Sequence, residues 1–151
     1  MKNRLMKTLF LLLPAFLFSF SLRAQITMEQ TLAYINGKLG AKCTIEVVHG
    51  IVIARYYENG TLFREDKVSL KELDLKRMGY EAKDKIFFIP CRGDDDCVDR
   101  KLFDTKIRRQ YSRFSFVLDT NKKSVDGMMK AFSHMSKLAA SPKYSSSEPF
   151  E

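Results

Sequence analysis

The chain has 151 residues, three cysteines and no tryptophan, and its 26 lysines and arginines outnumber 18 acidic residues for a formal charge of +8. Half of that excess sits in the first 24 residues, through Lys2, Arg4, Lys7 and Arg23, so the remaining chain carries only +4. Mild basicity of this kind speaks of solubility before nucleic acid, and the remaining length suits one domain with a real core.

Lys2, Arg4 and Lys7 precede the apolar run Leu9 to Phe20, which is followed by Ser-Leu-Arg-Ala and Gln25. Charge, a short apolar segment and a small residue in that order describe a secretion signal cleaved after Ala24. A membrane-spanning helix needs roughly 20 apolar residues; this run is shorter, contains Pro14 and is closed by Arg23. The first cysteine, Cys43, lies too far on to receive a lipid at a mature N-terminus. The expectation is a soluble product, periplasmic or secreted, with no later span.

Thr27 to Leu39 reads as a helix, with Thr27 and Gln30 in capping-box spacing and Met28, Leu32, Ile35 and Leu39 on one stripe. Gly40 is placed to end it. Cys43 to His49 and Ile51 to Tyr57 are β-branched and aromatic, with Gly50 between them. Glu58-Asn59-Gly60 marks a tight turn, after which Thr61 to Val68 returns antiparallel. Ser69 to Leu75 suggests a helical turn or crossing segment. Lys85 to Ile89 is a buried strand stopped by Pro90, and Arg113 to Leu118 is another, with Phe114 and Phe116 on one face. A further strand is expected near Val98 to Phe103. Val125, Met128, Met129, Phe132, Met135 and Leu138 give a helix from Ser124 to Ala139 a wide apolar face, with Lys130 and Lys137 off its centre. Residues 25–140 form one domain, and the proline- and serine-rich segment 141–151 is expected to be a disordered tail.

The order helix, sequential hairpins, helix predicts an α+β fold: a curled antiparallel β-meander with the C-terminal helix packed on the sheet. Three segments, Thr31 to Leu39 (TLAYINGKL), Lys67 to Leu75 (KVSLKELDL) and Ala131 to Leu138 (AFSHMSKL), carry a resemblance. In organisation the chain resembles small exported proteins of Bacteroidetes-type bacteria with a pleckstrin-homology-like half-barrel. That resemblance implies a binding platform and no catalytic signature, and a shared fold does not assign a function.

Cys91 and Cys97 bracket C-R-G-D-D-D-C. In an exported chain this spacing predicts a structural disulfide, stabilising by about 2 kcal/mol in the chain-entropy account. A redox pair is the alternative, although such pairs are usually two residues apart at a helix start. Cys43 is left as a buried strand thiol, with pairing to Cys91 or Cys97 also open. Asp94, Asp95, Asp96 and Asp99 offer oxygen ligands for calcium, but consecutive aspartates lack EF-hand spacing and read as a solvated tip. No metal or other cofactor is expected.

Arg100, Lys101, Lys106, Arg108, Arg109 and Arg113 form the main basic cluster, interleaved with Phe103, Tyr111 and Phe114. Stacking aromatics among cations are a nucleic-acid pattern, yet compartment, modest charge and the adjacent aspartates argue for a charged strand edge or an anionic envelope surface. His49 and His134 are the only histidines. Cys43 and His49 would be about 20 Å apart along an extended strand, too far for a nucleophile and its base, and Cys43 with His134 has no supporting motif. Glycine-rich phosphate loops, nucleophile elbows and metalloprotease helices are absent. With no catalytic residue assigned, the leading expectation is a binding or scaffold module for a protein, peptide or envelope component. A cysteine-dependent enzyme centred on Cys91 and Cys97 is its rival.

Overall fold

A computed structural model describes residues 26–93 and 95–141; residues 1–25, where the secretion signal is expected, Asp94, and residues 142–151, where a disordered tail is expected, lie outside the described residues. The first helix, α1 (Met28–Leu39), begins with the expected capping box: Thr27 Oγ1 accepts from the Gln30 amide, and Gln30 Oε1 accepts from the Thr27 amide. Its buried stripe is Met28, Thr31, Ile35 and Leu39, with Leu32 only partly buried. Thr31 can take an inner position because its hydroxyl donates to the Thr27 carbonyl at 2.8 Å, which satisfies the buried oxygen locally. Gly40 follows at φ +63° and turns the chain into the sheet.

Strands β1 (Cys43–Val48), β2 (Ile51–Glu58) and β3 (Thr61–Ser69) form two hairpins. Each turn has two residues at positive φ, His49-Gly50 and Asn59-Gly60, the backbone that matches strand twist in two-residue loops. His49 is therefore a turn residue and β1 stops one residue before it. Past β3 the expected helical turn is a hydrogen-bonded turn, a β-bridge from Leu73 to Cys91 and a single 3-10 turn, Leu75–Arg77. Then come β4 (Gly79–Glu81), β5 (Ile86–Pro90), β6 (Val98–Leu102), β7 (Arg108–Tyr111) and β8 (Arg113–Val117). The last element among the described residues is α2 (Lys122–Ala139), whose N-terminus is capped by the Asn121 side chain accepting from the Ser124 amide.

All strand pairs are antiparallel. They form a five-stranded sheet in the order β1-β2-β3-β6-β7 and a three-stranded sheet in the order β4-β5-β8. The two sheets do not close into a barrel. β4 and β5 are an excursion between the neighbours β3 and β6, which is why the meander divides. The core lies between the sheets and under α2, where Phe87, Phe114, Phe116 and Phe132 are fully or almost fully buried. Phe132 sits 5.8 to 6.3 Å, centroid to centroid, from the other three rings. Such clusters add about 0.5–1.5 kcal/mol per pair beyond burial, so α2 is held on the sheet by one aromatic anchor.

Two sheet edges, β1 and β8, are bridged by side chains. Asn36 on α1 offers its amide to β1 as a strand would, with Nδ2 donating to the Ile45 carbonyl at 2.9 Å and Oδ1 accepting from the Ile45 amide at 2.7 Å. On the other edge, the Ser115 carbonyl of β8 accepts from Tyr56 Oη at 3.0 Å and Arg64 Nη2 at 2.9 Å, both from the larger sheet. Side chains thus join the sheets where backbone does not.

Candidate functional site

The basic cluster is divided by the fold. Arg100 faces inward from β6 and grips Asp66 with two bonds, 2.8 and 2.9 Å. Arg108 on β7 is bonded to Asp99, and Arg113 on β8 pairs with Glu81 at 2.7 Å. Lys101 lies over the Phe103 ring at 4.5 Å. Lys106, a loop residue at positive φ, and Arg109 are exposed and have no ion pair among the described residues. The cations are thus distributed over an inner face, an outer face and a strand of the second sheet.

The inward cation belongs to a buried network. Asp66 is 0 % exposed and its carboxylate is held by both Arg64 and Arg100. Arg64 lies over the Tyr56 ring at 4.0 Å and Arg100 over Tyr111 at 4.1 Å. Burial first, and then the Asp66 carboxylate, push the Tyr56 phenol well above its ordinary range. Cys43 lines the same region: burial raises its thiol to about 12, with Arg64 opposing and Asp66 reinforcing the rise. A thiol in that state is the opposite of an activated nucleophile. Among the described residues no buried side-chain nitrogen or oxygen lacks a partner, so this interior asks for no ligand.

Cys91 and Cys97 are disulfide-bonded, with their Cα atoms 5.8 Å apart. The bond joins the end of β5 in one sheet to the start of β6 in the other. Around it, the Arg92 amide donates to the Glu72 carbonyl at 2.7 Å, the Asp74 amide to Pro90 at 2.8 Å and Arg77 Nη2 to the Cys91 carbonyl at 3.0 Å. Asp95 and Asp96 are exposed, and Asp99 is engaged by Arg108, which holds its carboxyl below the usual range. No three histidine, cysteine or acidic side chains converge on a metal position among the described residues. His134 Nε2 lies 3.0 Å from the Ile26 carbonyl, which can only accept, so the ring N–H donates the hydrogen bond.

A concavity lies between the two helices. A hollow of about 850 Å³ is lined by residues including Ile26, Tyr34, Gly127, Lys130, Ala131 and Lys137. A second, about 910 Å³, continues past Tyr34 and Lys130 toward Lys38 and Lys123. Tyr34 crosses from α1 to α2: a Cβ on Gly127 would lie 2.0 Å from its hydroxyl. That explains a glycine inside a helix, where it costs about 1 kcal/mol relative to alanine. The ammonium of Lys38 lies 5.7 Å from the Tyr34 ring centroid.

Sequence reasoning placed Lys130 and Lys137 beside the apolar face but missed Tyr34 and Ile26 as a pair, and Lys123 as part of a stripe. The available signal was the spacing of lysines 123, 130 and 137, seven apart on one helix face, together with Gly127 between them. Comparison with protein-family models, curated proteins and solved structures finds no match to this chain.

Proposed function

We propose that this chain is an exported, non-catalytic binding module whose recognition surface is the groove between α1 and α2. The observation that carries this reading is the groove itself. Two large apolar side chains remain exposed there, Ile26 at 56 % and Tyr34 at 40 %, in a hollow of the size that ligand sites commonly have. Export is supported by the order of charge, apolar run and small residue at the start of the chain, and by a disulfide that suits an oxidising compartment. No helix among the described residues is long and apolar enough to cross a membrane. In this reading the two antiparallel sheets are a frame that positions the helices. The Cys91–Cys97 bond clamps the crossing between the two sheets.

The test is retention of cell-envelope components on the immobilised, disulfide-intact protein, compared with an Ala131→Arg variant of equal thermal stability. Retention lost on filling the groove supports the reading. Retention indifferent to Ala131→Arg, or substrate turnover abolished by Cys43→Ala or His134→Ala, overturns it.

A further inference from the structure

We infer that the occupant of the groove is an acidic amphipathic helix of a partner protein, an identification that rests on the groove being the recognition surface. The first argument concerns hydrogen bonds. Of the polar side chains lining the main hollow, the neutral Gln30, Thr31, Ser133 and His134 each bond nearby backbone, Gln30 at the Thr27 amide, Thr31 and His134 at the Thr27 and Ile26 carbonyls and Ser133 at the Met129 carbonyl, while Lys130 and Lys137 have no ion pair among the described residues. A sugar or an extended peptide is held by many neutral donors and acceptors of its site, and here each of those four side chains already makes one bond to backbone. A helix satisfies its own backbone and asks only for apolar contact and charge.

The second argument is charge. Lys123, Lys130 and Lys137 are exposed and have no ion pair among the described residues. They lie about 10 Å apart along one face of α2, a line of about 21 Å. Lys38 faces them from α1, and among the described residues Asp126 is the one acidic residue lining either hollow. A second helix with carboxylates every seventh position repeats at the same interval, so each ammonium meets a carboxylate while the apolar stripe of that helix covers Tyr34 and Ile26. Helix-in-groove recognition uses this combination of apolar anchors and flanking charge. The lysines, on flexible stems, can adjust to either helix direction.

The experiment uses protein expressed with its own leader and purified in the form that the host exports. Amide spectra are followed during titration with a synthetic helix of about 18 residues bearing a leucine stripe and glutamate at every seventh position. Controls are the same helix with glutamine for glutamate, a scrambled peptide of equal composition, and phosphatidylglycerol vesicles. The acidic helix is expected to shift Tyr34, Gly127 and Lys130 saturably and to bind several-fold more weakly as salt screens the pairs. Lys130→Glu, at an exposed site, is expected to weaken binding about tenfold. A helix with lysine replacing the facing glutamate is expected to restore it, a recovery that misfolding cannot imitate.

Equal binding of the scrambled or glutamine peptide overturns the inference while the groove remains a binding surface. So does a groove response to vesicles alone, or groove shifts produced by concentrating the protein without peptide. If no probe perturbs the groove and Ala131→Arg leaves envelope retention unchanged, the inference and the binding-module reading fall together.

Discussion

Replacing Asp66 by asparagine keeps the shape of the side chain and removes the charge that Arg64 and Arg100 share. Asp66 accepts Nε and Nη2 from each arginine, with Nε distances of 2.9 and 2.8 Å. The arginine side chains are only 17 % and 14 % exposed. In Asp66→Asn one amide oxygen remains, and the new NH₂ faces donors. Breaking a buried pair from one side costs about 3–5 kcal/mol, out of the 5–15 kcal/mol typical of a domain's total. At a urea slope of roughly 2 kcal/mol per molar, the midpoint should fall by about 2 M with the slope unchanged. The companion variant, Arg64→Met with Asp66→Leu and Arg100→Met, removes all three charges. It should be far less destabilised, because exchange of a whole buried ion network for apolar groups is often neutral or stabilising. Ser115 keeps a donor in Tyr56 Oη throughout. A loss below about 1 kcal/mol in Asp66→Asn would refute the reasoning. So would a triple variant that falls as far, since the cost would then be packing and not stranded charge.

Removing the Cys91–Cys97 bond by Cys91→Ala with Cys97→Ala should cost about 2 kcal/mol by the chain-entropy account, read as a lower denaturation midpoint matched by reducing the native protein. Asn36→Ala should cost about 1–3 kcal/mol for each Ile45 backbone group left unpaired and raise light scattering by baring the β1 edge; Asn36→Asp should be worse, since an oxygen then faces the Ile45 carbonyl. Cys43 has its thiol raised from an ordinary 9.0 to about 12, so its contribution is complete below pH 9 and is lost as pH rises toward 12. Alkaline melts of Cys43→Ala should accordingly fall less steeply from pH 9 upward than those of the native chain, and an identical slope would remove Cys43 as a cause. Gly79→Ala should destabilise by several kcal/mol or displace the paired aromatic ring, because a Cβ there would lie 2.4 Å from the Phe88 ring and overpacking costs about 1–3 kcal/mol or more; an unchanged melt would sink that reading.

Periodicity made the buried elements legible. The α1 capping box, both glycine turns, β5, β8 and the apolar face of α2 follow from spacing, because each is set by residues within a few positions of one another. β7 was missed because Arg108–Tyr111 is an exposed edge whose RRQY carries no apolar alternation. β4 was missed because three residues are too few to show a period; its Gly79 is explained only by Phe88 across the strand pair. The basic cluster was legible as composition and not as a surface. Its residues alternate between strand faces, so Arg100 turns inward to Asp66, thirty-four positions away, and Arg108 turns outward to Asp99. The groove was illegible for the same reason, since Tyr34 and Gly127 meet only when two distant helices pack.

The two kinds of cation have different tasks in this fold, and that difference is the strongest reason to look for a partner at the helices. Six arginines, at 55, 64, 77, 100, 108 and 113, hold carboxylates of the frame. A planar fork with several fixed donors suits permanent, directed bonds of this kind. Lys67 and Lys85 also pair within the frame. The lysines flanking the groove do not, although Asp126 lies on the same helix face and within the same hollow as Lys123 and Lys130. Leaving the apolar surface of the groove uncovered forgoes about 25 cal/mol for each Å². In the proposed reading, a frame whose buried side-chain polar groups are satisfied among the described residues leaves its lysine-flanked apolar groove to be completed by an outside carboxylate-bearing surface.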